Sequence, residues 1–255
     1  MLSKVEGIVI RATDYGEGNR ILSVFTREMG RQSMMARGAK KVKSRLAALS
    51  QPFTYAQFIV FKSSPQAMGT INAGELIASH HKLREDLMLS AYAAYISELV
   101  NRLTEEGEAL PALFEQLLAA FRAMEDGKDA AVIVHVMEMN MLSVAGFQPE
   151  LNACVLCGGA SHELTSLSVV HGGTVCARCR ERDAQAVDAA PAVLKLLRAF
   201  QQIDLRRVGQ IQVSDANKER VQRFIRSYMD AHLHARWKSR DLIDQLKRQR
   251  FDVNT

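Results

Sequence analysis

All four cysteines of the chain fall between positions 154 and 179, as Cys154-x-x-Cys157 and Cys176-x-x-Cys179. Two tight turns that each present a pair of thiolates to one tetrahedral ion have this spacing, the pattern of a four-cysteine zinc site. Gly158-Gly159 follows the first pair, where a sharp turn often needs positive φ. Arg180 follows the second pair, which departs from that pattern. Disulfides and redox-active thiols are the rival readings. The opening MLSKVEGIVI contains Lys4 and Glu6 and no secretory apolar core, which points to a reducing compartment and away from disulfides. A redox Cys-x-x-Cys comes singly, so two of them favour a metal. Four protein ligands close a tetrahedral shell and leave no position to activate water. The expected zinc, one per chain, is therefore structural, and staples residues 151–182, a segment too short to build a core of its own. Four thiolates around Zn²⁺ leave a formal charge of about −2. Arg178, Arg180 and Arg182 either offset that charge or are simply solvated.

With 255 residues the chain can bury one sizeable core or two or three smaller ones. Its most apolar stretch, 130–145, includes His135, Glu138 and Asn140. That is too short and too polar to cross a bilayer, so a buried soluble helix is predicted. The net charge of +5 is unevenly spread. Residues 27–45 hold seven Lys/Arg and one acid, and residues 218–250 hold ten and four, so the remainder is acidic. Such asymmetry points to a polyanionic partner.

The pattern along the chain predicts an α+β fold. Runs with β-propensity at 5–11, 20–26, 31–36, 53–61 and 69–76 are separated by turn clusters such as Asp14-Tyr15-Gly16-Glu17-Gly18. Five short strands in residues 1–80 fit a small barrel of the oligonucleotide-binding kind, the OB-fold. Residues 53–61 are apolar on both faces, as in a central strand, so Phe53, Tyr55 and Phe58 read as core rather than as stacking platforms. From residue 81 to 255 the period changes to about 3.6. Leu83, Leu87, Ala91, Tyr95, Leu99 and Leu103 define one long helix, and further helices are expected from Pro111, from 130 to Gly146, and over 192–203, 215–237 and 239–251. The expected domains are thus the barrel, 1–80, and a mostly helical body, 81–255, with the zinc loop inserted.

The run Arg37-Gly-Ala-Lys-Lys-Val-Lys-Ser-Arg45 carries charge of one sign on the expected barrel. Its glycine permits close approach to a phosphate, and Ser44 can donate to one. The run is therefore predicted to contact a phosphate backbone. The C-terminal basic helices, with Asp230 and Asp241 interspersed, read instead as a solvated face. Enzyme signatures are absent. There is no P-loop. His80-His81 beside Glu85-Asp86 reads as a solvated cluster, because sequence neighbours on a helix do not face one another. His135 reads as a satisfied core residue, and His232 and His234 lack partners at ligand spacing. The chain is expected to be non-catalytic.

The order of parts resembles the RecO family of bacterial recombination mediators. So does the wording of Val5-Glu-Gly-Ile-Val-Ile, Tyr15-Gly-Glu-Gly-Asn-Arg-Ile21, Phe25-Thr-Arg-Glu-Met-Gly30, Ala36-Arg-Gly-Ala-Lys-Lys41, and Ala145-Gly-Phe-Gln-Pro-Glu-Leu151 running into Cys154-Val-Leu-Cys157. The resemblance covers essentially the whole length. It implies binding of single- and double-stranded DNA, strand annealing, and a cytoplasmic, nucleoid-associated location. It also implies partnership with RecR and single-stranded-DNA-binding protein in loading RecA at gaps. DNA binding maps onto Arg11, Arg20, Arg31, Arg37, Lys40, Lys41, Lys43 and Arg45 as a basic surface. In the family the cysteines are not universal, so zinc would serve the fold. From the residues alone a second class stays open, a zinc-ribbon regulator that binds RNA or a protein.

Overall fold

A computed structural model of the chain describes residues 1–64, 67–160, 163–209 and 211–253. The chain divides into two compact units, Met1–Ala130 with Trp237–Thr255, and Ala131–Arg236.

In the first unit, strands β1 (Leu2–Tyr15), β2 (Asn19–Thr26), β3 (Gly30–Ala36), β4 (Tyr55–Phe61) and β5 (Gly69–Ala78) close a barrel in the order β1-β2-β3-β5-β4. The β3–β5 pair is parallel and the others are antiparallel. Strand β1 is longer than its β-rich core suggested because it serves two neighbours. Leu2–Ile8 pairs with β4, and residues from Gly7 onward pair with β2. The register shifts between Val9 and Arg11, the kind of bulge that bends a strand and lets a small barrel close. Closure leaves no edge to aggregate. Val5, Val9, Leu22, Val24, Met34, Phe58, Val60 and Ile71 fill the interior.

The two apolar faces of β4 have separate duties. Ala56, Phe58 and Val60 join the barrel core. Tyr55, and Phe53 just before the strand, turn outward against helix α3 (Pro111–Glu125), with Phe53 5.5 Å from Phe121 and Tyr55 5.9 Å from Phe114. Phe53 itself stands outside the strand, at φ 70.

The single helix expected from Leu83 to Leu103 is two, α1 (Lys82–Glu85) and α2 (Leu87–Leu103). Asp86 divides them. Its backbone is extended, and its carboxylate accepts the Leu89 N–H at 2.8 Å, which caps α2. The last helix, α7 (Lys238–Val253), belongs to this unit. Trp237, fully buried, meets Tyr95 edge-on at 6.5 Å. The free N–H groups of Lys238 and Ser239 donate to the Glu98 carboxylate at 3.3 and 2.9 Å.

The second unit contains α4 (Ala130–Val144), α5 (Pro191–Gln202) and α6 (Asp215–Leu233), with a small sheet of β6 (Leu164–Ser168), β7 (Gly173–Cys176) and β8 (Val187–Asp188) in the order β7-β6-β8. These strands have five, four and two residues, too few for an alternating pattern to register in the sequence. Helix α4 is buried on nearly every face and ends at Val144, with Gly146 at φ 78 just beyond it as the expected terminator. Among the described residues no helix is long and apolar enough to cross a membrane. Helix α6 stops at Leu233, earlier than its periodicity suggested, because His234 takes the left-handed conformation at φ 46.

Candidate nucleic-acid interface and metal centre

Beyond β3 the chain runs through a series of turns: Lys41 N–H donates to the Gly38 carbonyl at 3.1 Å and Ser44 N–H to the Lys41 carbonyl at 2.9 Å. Ala39 is buried and anchors this loop to the barrel core, while Arg37, Lys40, Lys41, Val42, Lys43 and Arg45 are exposed. The loop is also fastened to the β1–β2 hairpin. Gly38 N–H donates to Asn19 Oδ1 at 2.8 Å, and Lys40 N–H to the Gly18 carbonyl at 3.0 Å. Lys40 Nζ lies 2.7 Å from Asp14 Oδ2. Hydrogen bonds from Lys40 first and Arg20 second hold the Asp14 carboxyl below its ordinary value.

The eight predicted DNA-binding residues fall into distinct groups. Arg37, Lys41, Lys43 and Arg45 have no ion-pair partner among the described residues. Lys40 and Arg20 share Asp14, and Arg20 also donates to the Ser50 carbonyl and hydroxyl at 3.4 and 3.3 Å. Arg31 turns to the loop after α2, where Nε and Nη2 both donate to the Thr104 carbonyl at 3.3 Å. Arg11 lines a cavity of about 800 Å³ together with Phe53, Arg84, Glu98 and Lys238. The contacts that pin the loop, Asp14 to Lys40 and Asn19 to Gly38, carry no sequence signal of their own, because each joins two separate turns of the chain. Phe53, Tyr55 and Phe58 are buried, as predicted.

In the second unit the four cysteine sulfurs all lie within 4.8 Å of one another. Zinc–sulfur bonds of about 2.3 Å in a tetrahedron place sulfurs about 3.8 Å apart, and Cys157 Sγ is 3.9 Å from Cys176 Sγ. The residues therefore fit one tetrahedral, thiolate-preferring ion. The first knuckle turns at Gly158, φ 71, whose N–H donates to the Cys154 carbonyl at 2.7 Å. The second needs no glycine, because Cys176 ends β7 and Cys179 lies in a 3-10 helix, Ala177–Arg182. Burial works against the Cys154 thiolate, but backbone N–H groups of Cys176, Leu156 and Cys157 outweigh it and bring the thiol down to about 6. Burial and hydrogen bonds with the other three cysteines push Cys179 up to about 12. Four thiols packed so closely cannot all ionise without a cation among them. Of the neighbouring arginines, Arg182 Nη1 lies 4.0 Å from Cys179 Sγ, whereas Arg180 pairs with Asp188 at 3.1 Å.

The histidines have partners that sequence spacing did not show. His80 is buried, with Nδ1 2.6 Å from Glu125 Oε2, so its carboxylate comes from α3 and not from the adjacent Glu85-Asp86. Burial, ahead of the opposing pull of Glu125, lowers its pKa. His135 is a buried residue of α4 with Nδ1 2.8 Å from Glu138 Oε2. His232 meets the Val169 carbonyl at 2.8 Å.

A family model described as Recombination protein O N terminal matches residues 1–80, and one described as Recombination protein O C terminal matches residues 84–241. The chain is 43% identical over 250 residues to the DNA repair protein RecO of Bacillus subtilis strain 168, covering 97% of this chain and 96% of the relative. It is 42% identical over 247 residues to the protein of that name from Bacillus pumilus strain SAFR-032, covering 97% and 95%. Against the DNA repair protein RecO of Halalkalibacterium halodurans the identity is 41% over 251 residues, covering 98% of each. With both halves matched in order and full-length relatives at this identity, the chain belongs to the RecO family, whose role is in DNA repair and recombination.

Proposed function

We propose that this protein is a non-enzymatic DNA-binding mediator. It binds single- and double-stranded DNA through the basic loop of its barrel and anneals complementary strands by neutralising their phosphates. With RecR it promotes RecA loading on single strands coated by single-stranded-DNA-binding protein. The observation that carries this reading is the exposed set Arg37, Lys41, Lys43 and Arg45, free of internal ion pairs and displayed on a closed five-stranded barrel. Cations with no internal partner are those that can release counterions from a polyanion. Lys40 and Arg20 support the same surface while holding the hairpin, and Arg11 and Arg31 are further candidates for its margin. The cysteines hold zinc as a structural ion and take no part in the chemistry. Annealing needs charge neutralisation and no nucleotide hydrolysis. The proposed partnership with RecR, RecA and single-stranded-DNA-binding protein rests on family membership.

The test is annealing of complementary strands coated with single-stranded-DNA-binding protein, in the absence of ATP. Annealing accelerated over the protein-free control is the expected result. Single-strand affinity should fall with salt at a log–log slope near about −3.5, for about five phosphates. A flat slope would remove the DNA-binding reading.

A further inference from the structure

The cationic loop supplies charge, but phosphate contacts alone do not tell a single strand from a duplex. Nonspecific single-strand sites combine a cationic track with an aromatic ring on which an unstacked base can lie. The obvious ring candidates from the sequence are spent in the core: Phe53, Tyr55 and Phe58 are each at most 5% exposed. Tyr15 is different. It ends β1 at the tip of the β1–β2 hairpin, opposite Asn19, and is 55% exposed. No ring contact or hydrogen bond engages its side chain among the described residues.

Its position gives the exposure meaning. The hairpin that carries Tyr15 is the element to which the basic loop is pinned. Asp14, its preceding neighbour, takes Lys40 Nζ at 2.7 Å, and Gly18 and Asn19 accept backbone N–H groups of Lys40 and Gly38 at 3.0 and 2.8 Å. The loop that carries the unpaired cations is therefore fastened to the hairpin whose tip carries Tyr15, so that a strand lying along the loop can wrap past the tip to the ring. The hairpin's acids do not cancel the loop's charge, since Asp14 is neutralised by Lys40 and Arg20 and only Glu17 remains. Phe61 is the other half-exposed ring of the barrel, at 46%. It pairs with Leu2, at the opposite end of β1 from Tyr15 and its cationic neighbours.

We infer that Tyr15 is a stacking platform for an unpaired nucleobase and adds to the basic loop a preference for single-stranded over double-stranded nucleic acid. This deepens the proposed DNA-binding reading and rests on it. A base in a duplex already has two stacking neighbours, so Tyr15 adds nothing there. A base in a single strand gains a face. The hydroxyl is not needed for stacking, so phenylalanine should serve as well as tyrosine.

The test uses the full chain with a labelled thymidine oligonucleotide and a duplex of equal length, comparing wild type, Tyr15→Ala, Tyr15→Phe and Lys41→Ala. Tyr15→Ala should weaken single-strand binding about tenfold, within the range for loss of one base–aromatic stack. It should leave duplex affinity and the salt slope unchanged, and Tyr15→Phe should bind as wild type. Lys41→Ala should instead weaken both substrates and flatten the slope. In Tyr15→Trp, indole emission should be quenched by the oligonucleotide and not by the duplex, with buried Trp237 as an unresponsive internal reference. If Tyr15→Ala binds the oligonucleotide as wild type does, while wild type keeps its steep slope and Lys41→Ala weakens it, this inference fails and the parent reading stands. Equal losses on both substrates would also overturn it. If wild type binds neither substrate, or binds with no salt dependence, the parent reading fails first.

Discussion

Lys40 Nζ lies 2.7 Å from Asp14 Oδ2, so one cation of the basic loop is bound to the neighbouring hairpin, while Lys41 and Lys43 beside it carry no such partner. Lysines alike in sequence thus differ in what they can offer a phosphate. Lys41→Ala and Lys43→Ala should each reduce the single-strand salt slope by about 0.7, the contribution of one phosphate. Lys40→Ala should change it less, because Asp14 already holds that charge. Asp14→Asn should tighten binding by releasing Lys40. All of these effects should be the same for unrelated sequences, since phosphates carry no sequence information. Fluorescence titration against salt for each variant measures them. Equal slope losses for all three lysines would contradict the ordering.

The cysteine cluster makes a stoichiometric prediction. Purified protein should contain about one zinc per chain, bound in thiolate coordination. Chelation, or Cys176→Ser, should release it and lower the stability of the second unit, because metal affinity and folding are linked where the site exists only in the folded state. Metal analysis beside a thermal melt checks both. Metal-free protein of unchanged stability would dispose of the zinc assignment.

His80 makes stability depend on pH. Its ordinary value is 6.5, and burial lowers it in the folded state despite Glu125. A neutral ring donates Nδ1–H to Glu125 and leaves only a lone pair on Nε2, which has no partner. A charged ring would bury an unpaired N–H there. As pH falls through 6.5 the unfolded chain takes up the proton before the folded one does, so stability is full above 6.5 and declines below it. The urea midpoint should therefore fall between about pH 7.5 and pH 5.5, and His80→Gln should flatten that dependence. A profile identical in the variant would show that other groups carry it.

Gly30 begins β3 at φ 59, and a Cβ there would lie 1.8 Å from the Glu108 carbonyl oxygen. The segment after α2 packs directly on the strand at this point, with Gly107 N–H donating to the Arg31 carbonyl at 3.1 Å. Gly30→Ala should combine a left-handed backbone strain with a clash against backbone, and destabilise the protein by about 3 kcal/mol or more. Gly16→Ala, with the same φ of 59 and open space around it, should cost less. Thermal unfolding of the two variants separates clash from strain. Equal losses would assign the effect to backbone conformation alone.

The sequence by itself determined the parts. Runs of β-propensity between turn clusters marked the barrel strands, the four-residue recurrence of Leu83, Leu87, Ala91 and Tyr95 marked the helical region, and cysteine spacing marked the thiol cluster. Each of these is a local signal, written within a few residues by strand pleat, helical turn or ligand geometry. Where a local rule had a competitor, it was less complete. Asp86 broke one expected helix into two because its carboxylate caps the second, and the short strands β6, β7 and β8 were too brief to show a period. Tertiary structure alone decided the partners. It assigned Glu125 to His80 across 45 residues, turned Arg31 toward Thr104, bound Lys40 to Asp14 and left Lys41 free. It also buried Phe25, Phe53, Tyr55 and Phe58 of the barrel segment and left Tyr15 in solvent at the tip of the β1–β2 hairpin. Long-range pairing depends on how strands close and helices cover them, so identical residue types along one run acquire different environments. The cysteines declared their chemistry in their spacing, whereas the lysines and arginines acquired theirs only from what the fold placed beside each one.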